Sequence, residues 1–94
     1  MEEKIDISRM LDSSGRIEQF PKKKGSRTAV LEYLADKFEE DREYREKEVN
    51  EILEEWHTFG DFFLLRRELI EHKLLNRKPD GSCYWRPKKQ EEQR

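Results

Sequence analysis

The sequence predicts a mainly α (α+β) fold: a winged helix-turn-helix with a small antiparallel β-sheet and an N-terminal extension. Three observations carry that reading. Val49, Ile52, Leu53 and Trp56 recur at helical spacing and lay one apolar stripe along the stretch that begins at Glu46. His57-Thr-Phe-Gly60 then turns the chain, and Asp61 to Leu74 has the pattern of a second helix. Leu75 to Arg86 supplies two short strands around Asp80-Gly81, the wing. This order of elements belongs to macromolecular recognition modules rather than to enzymes.

Taken from the N-terminus, Ile5, Met10 and Leu11 predict a short helix over 4–12, and Asp12-Ser-Ser-Gly15 ends it with turn chemistry. Arg16 to Phe20 alternates polar and apolar residues and stops at Pro21, so it reads as a strand able to pair with the ribbon's edge. Lys22 to Gly25 is a solvated loop, and Ser26 is the N-cap of a helix over 26–39. Val30, Leu34 and Phe38, joined by Leu31 and Ala35, give that helix its core stripe. Tyr44, after an acidic connection from Glu39 to Glu43, is placed to make a strand contact between the first two helices of a winged helix.

The helix pair is expected over 46–56 and 60–74, with Thr58 and Asp61 as the two members of a capping box. The ribbon is expected over 75–78 and 83–86, where Tyr84 and Trp85 point to opposite faces. Trp85 is assigned to the core, which leaves Tyr84 for stacking. Val30, Leu34, Phe38, Val49, Ile52, Leu53, Trp56, Leu65 and Leu69 should meet in one core.

The chain has 94 residues, enough for one domain over 1–86, with a charged tail from 87 to 94 that holds no apolar anchor and is expected to be disordered. Charged residues make up 45% and apolar ones 33%, near the border of disorder, but ten aromatics in periodic windows argue for a folded core. The net charge of −2 is too small to draw the domain onto nucleic acid unless charges are segregated, and they are. Lys22, Lys23, Lys24 and Arg27 form a basic knot, Glu39 to Glu55 holds nine acidic against three basic residues, and Arg66 to Lys89 turns basic again.

Cys83 is the single cysteine, which rules out an internal disulfide and a multi-cysteine zinc site. His57 and His72 are the only histidines, so no metal site is expected. His57, beside a capping turn, is read as a backbone hydrogen-bonding partner. There is no Gly-rich phosphate loop, no carboxylate pair at useful spacing and no nucleophile with a base beside it. The expectation is a non-enzyme with no cofactor and no small-molecule substrate. No apolar run reaches the length of a membrane span and the N-terminus does not resemble a signal peptide, so a cytoplasmic protein is expected.

Three clusters together resemble one family: Leu31-Glu-Tyr-Leu-Ala-Asp-Lys-Phe38; Tyr44 to Leu53 with His57-Thr-Phe-Gly-Asp61; and Leu65-Arg-Arg-Glu-Leu69 with Asp80-Gly-Ser-Cys-Tyr-Trp-Arg86. The sequence is similar to the prokaryotic domain of unknown function 2087 family over about residues 10 to 86. The resemblance implies a domain that occurs alone or attached to helix-turn-helix regulators. Arg45 departs from the family's pattern, in which a small hydroxyl residue is usual. Arginine has no acceptor for a backbone N–H, which puts the cap of that helix in question.

Function classes follow from the exposed positions. Arg66 falls near the middle of the apolar arc formed by Phe62, Leu65, Leu69 and Ile70, so it is expected to be at least half buried and paired with a carboxylate. Arg67 is the best cation on the opposite arc, which also carries Glu68 and Glu71. The first reading is a DNA-binding or transcription-regulatory module that contacts phosphates through Lys22, Lys23, Lys24, Arg27, Arg67, Arg77, Lys78 and Arg86. The second is a protein-interaction or dimerisation winged helix, homodimeric or joined to a regulator, that uses Phe63 and Leu64.

Overall fold

The computed structural model describes residues 6–87. Within them lie α1 (Lys24–Ala35), β1 (Glu43–Tyr44), α2 (Glu46–Glu55), α3 (Phe62–Glu71), β2 (Asn76–Arg77) and β3 (Tyr84–Trp85). The strands form one antiparallel sheet in the order β1-β3-β2, and the whole is an α+β, winged-helix-like arrangement. Residues 88–94 of the charged tail, and residues 4 and 5 of the predicted first helix, lie outside the described residues.

The predicted helix over 4–12 is, where described, only a 3-10 turn over Ser8–Met10. Asp6 accepts the Ser8 N–H at 2.9 Å, and that backbone bond foremost holds its carboxyl below the usual range. Arg16 to Phe20 does not join the ribbon. Ile17 instead bridges Leu11 and His57, its N–H donating to the Trp56 carbonyl at 2.8 Å while its carbonyl accepts from Thr58 at 2.9 Å. The apolar alternation is met by one fully buried residue, Ile17, that locks the extension onto the turn between α2 and α3. The sheet edge assigned to it is taken by β1, as the isolated strand contact at Tyr44 predicts.

Gly15 makes this docking possible. Its φ is +85°, and a side chain there would stand 3.0 Å from the Tyr33 hydroxyl, which donates to the Gly15 carbonyl at 2.6 Å. Lys37 completes the contact by lying over both the Tyr33 and Trp56 rings, 4.3 and 3.9 Å from their centres.

α1 starts two residues before the predicted cap. Lys23 is its N-cap and no side chain caps it; Ser26 lies inside the helix. Arg27 holds the entry by donating to the Pro21 and Lys22 carbonyls, each at 3.2 Å, with its guanidinium over the Phe20 ring. The helix also ends before the predicted boundary, because Lys37 and Phe38 bond three residues back and the tightened turn carries Phe38 into the core. There Phe38 meets Tyr44 edge-on, and the Tyr44 hydroxyl accepts the Glu39 N–H at 2.8 Å.

α2 is capped from one side. The Glu48 carboxylate accepts the Arg45 N–H at 2.8 Å, whereas the Arg45 guanidinium can offer nothing in return. α3 ends at Glu71 rather than Leu74 because Lys73 adopts a left-handed φ of 61°. Lys73 N–H then bonds to Ile70 and Leu74 N–H to Leu69, the double closure in which glycine is usual at the left-handed position.

Seven of the nine residues expected in the core are buried: Val30, Leu34, Phe38, Val49, Leu53, Leu65 and Leu69. Ile52 and Trp56 are partly buried against them. The expected order of Tyr84 and Trp85 is reversed. Register pairs Tyr84 with buried Tyr44 and Trp85 with exposed Glu43, so the shared face with Tyr44 takes Tyr84 inward and leaves Trp85 half covered.

Candidate functional site

α2 and α3 are set by the four residues His57 to Gly60 between them. His57 is buried, and both ring nitrogens are used: Nε2 accepts the Asp61 N–H at 2.8 Å, so Nδ1 carries the proton and donates to the Leu53 carbonyl at 2.6 Å. Thr58 is not the cap of α3. Asp61 itself is, accepting from the Leu64 N–H at 3.1 Å. The imidazole takes over the task assigned to a hydroxyl, which leaves Thr58 exposed.

With α3 fixed in this way, its outer side and the wing enclose a groove of about 450 Å³. α3 contributes Phe63, Arg66, Arg67, Ile70 and Glu71; β2 and the turn after it contribute Arg77, Asp80 and Gly81; Tyr84 forms part of the wall and Glu46 enters from the start of α2. Arg77 faces the groove because its register partner is Tyr84, on the helix side of the sheet. The wing turn is tight: Gly81 has a φ of 76° and its N–H donates to the Lys78 carbonyl at 2.8 Å. The Asp80 carboxylate accepts the Ser82 N–H, and this bond first of all lowers its pKa, so the groove keeps that negative charge.

Arg66 is largely covered, as the apolar arc predicts, its side chain only 12% exposed. It donates to the Asn50 side-chain oxygen, pairs with Glu46 at 3.4 Å and lies over the Phe63 ring, 5.1 Å from its centre. Glu46 and Asn50 sit one turn apart on α2, so Arg66 ties the two helices of the pair together. Arg66→Ala should cost about 1–3 kcal/mol, because the partly covered Asn50 loses its donor while Glu46, half exposed, can return to water. Urea melts of the variant check this, and an unchanged midpoint would mean the side chain is not held as described.

The cations singled out in the sequence separate into four groups. Arg67 and Arg77 come together in the groove with Phe63. Lys78 lies apart from it, lining a second hollow with Trp85, Glu40 and Glu43. Arg27 and Arg86 are engaged within the fold: Arg86 donates to the Phe38 carbonyl and to Asp36, each at 3.0 Å, which ties the end of the ribbon to the end of α1. Lys22, Lys23 and Lys24 are exposed at the start of α1. Leu64 is half buried, whereas Phe63 is 53% exposed and is the single large apolar side chain left open among the described residues.

Glu46, Ile70 and Asp80 were not predicted as site residues. Glu46 could have been suspected, since a buried cation on α3 needs a carboxylate from the facing helix. Cys83 is buried at the foot of the wing, and burial, then Glu43, pushes its thiol up and away from the reactive thiolate. Among the described residues no group of His, Cys, Asp and Glu converges as a metal site, and no helix is long and apolar enough to cross a membrane.

Residues 16–86 match the model of a family described as an uncharacterized protein conserved in bacteria, domain of unknown function 2087. No curated protein and no solved structure matches the chain.

Proposed function

We propose that this chain, which belongs to the domain of unknown function 2087 family, is a non-catalytic protein-interaction module that docks a segment of another chain in the groove between α3 and the wing. The mixed lining of that groove carries the reading. Arg66, Arg67 and Arg77 share it with Glu46, Glu71 and Asp80, around an exposed phenylalanine. A phosphate backbone is bound by a surface of one sign, and three carboxylates where a major groove would sit oppose it. A protein segment can satisfy both signs, and an aromatic at the centre of a polar rim is the usual anchor of such contacts. Two of the eight cations first assigned to phosphate, Arg27 and Arg86, are already spent on the fold.

DNA contact is the second reading, favoured by the exposure of Arg67, Arg77 and Lys78 on the helix and wing that meet DNA in other winged helices. Fluorescence anisotropy with random and promoter-derived duplexes separates the two. The interaction reading expects no binding tighter than about 100 μM at low salt, weaker than typical non-specific DNA binding. Micromolar binding that falls steeply with salt, and is abolished by Arg77→Glu with Lys78→Glu, would replace it with the DNA reading.

A further inference from the structure

We infer that the occupant of the α3–wing groove is a second copy of this chain, docked about a twofold axis so that Arg67 of each copy meets Glu71 of the other. The inference rests on the interaction reading of that groove. Phe63, Arg67 and Glu71 stand at i, i+4 and i+8 on α3 and so form one stripe along its exposed side. Neither Arg67 nor Glu71 has an ion-pair partner within 4.0 Å among the described residues, unlike Arg66 and Glu46, which neutralise each other.

An isologous interface brings one patch against itself, so a patch of a single sign repels its copy while a patch with both signs in order along a helix is its own complement. Two antiparallel α3 helices, with the axis passing midway between positions 67 and 71, place each guanidinium opposite a carboxylate twice. Phe63, one turn earlier, then reaches past Glu71 of the other copy toward its wing, where Arg77 offers a cation to the ring. A ten-residue helix is only about 15 Å long and cannot bury about 800 Å² per copy by itself, so the wing must share the interface. Arg77, Asp80 and Gly81 are where it would do so. The weak net charge of −2 leaves no general repulsion to prevent the approach.

Sedimentation equilibrium of the full chain from low micromolar to near-millimolar concentration, with duplex added in a parallel arm, tests this. The expected result is a reversible monomer–dimer equilibrium. Arg67→Glu and Glu71→Arg should each weaken it about tenfold or more, because each places like charges opposite one another twice. An equimolar mixture of the two variants should restore it, since both pairs then re-form in the mixed dimer, one as in the wild type and one with its signs reversed. That rescue also shows that both variants are folded. A monomer at every concentration, or a dimer indifferent to both substitutions, overturns the inference. A monomer that also ignores duplex leaves the groove to a different protein, whereas a monomer that binds duplex through Arg67 removes the interaction reading as well.

Discussion

Leu53→Ala is expected to lower the free energy of unfolding by about 2–5 kcal/mol. Leu53 is fully buried on α2, where it belongs to the same cluster as Ile17, Val30, Leu34, Leu65 and Leu69. Removing three carbons there forfeits their transfer from water and leaves a hole that the cluster's residues on three other segments, the N-terminal extension, α1 and α3, must close. Alanine's better helix propensity returns only a few tenths of a kcal/mol. For a chain of this size 1 kcal/mol corresponds to about 4–8 °C in Tm, so a fall of about 10 °C or more is expected. Denaturant melts and calorimetry measure both. A loss below about 1 kcal/mol would mean that the apolar stripe of α2 faces elsewhere.

His57→Ala is expected to cost about 2–4 kcal/mol, although only a single surface turn is altered. Its imidazole is the one buried polar side chain among the described residues, and it satisfies a donor and an acceptor at once. Truncation leaves the Asp61 N–H without its partner, leaves the Leu53 carbonyl with only the Trp56 N–H at 3.1 Å, and removes the edge-on contact with Phe59 at 4.6 Å. It also loosens Asp61, the N-cap of α3, so hydrogen exchange should accelerate first in the opening turn of that helix. Unchanged stability with unchanged exchange would show that the turn is held by something other than this ring.

The helix pair, the Asp80-Gly81 turn, the strand contact at Tyr44, most of the core and the burial of Arg66 were legible in the sequence. Each of these follows from a local pattern: apolar residues at helical spacing, a turn dipeptide, or a cation inside an apolar arc. The departures share a different cause. Whether Tyr84 or Trp85 turns inward depends on register with Tyr44, forty residues earlier, and larger apolar area is no guide to it. The alternation in Arg16 to Phe20 resembles a strand, but a single residue, Ile17, uses it, and its partner is the turn at His57 rather than the ribbon.

The site was legible in part for the same reason. Arg67, Arg77 and Phe63 could be picked out one by one as exposed residues of the right chemistry. Their meeting with Glu46 and Asp80 depends on how α2 enters against α3 and how the wing folds back. The region from Arg66 onward reads as basic because the sequence does not show that Arg86 ends beside Asp36, or that Glu46 and Asp80 join Arg67 and Arg77 in one groove.

The most direct test of the claim that the α3–wing groove receives protein is amide chemical-shift mapping of the labelled chain, first on dilution and then on addition of duplex at low salt. The expected result is that dilution moves the amides of Phe63, Arg67, Glu71 and Gly81 together while duplex moves none of them. Shifts at Lys22, Lys23, Lys24, Arg77 and Lys78 on adding duplex, with a spectrum unchanged on dilution, would contradict it.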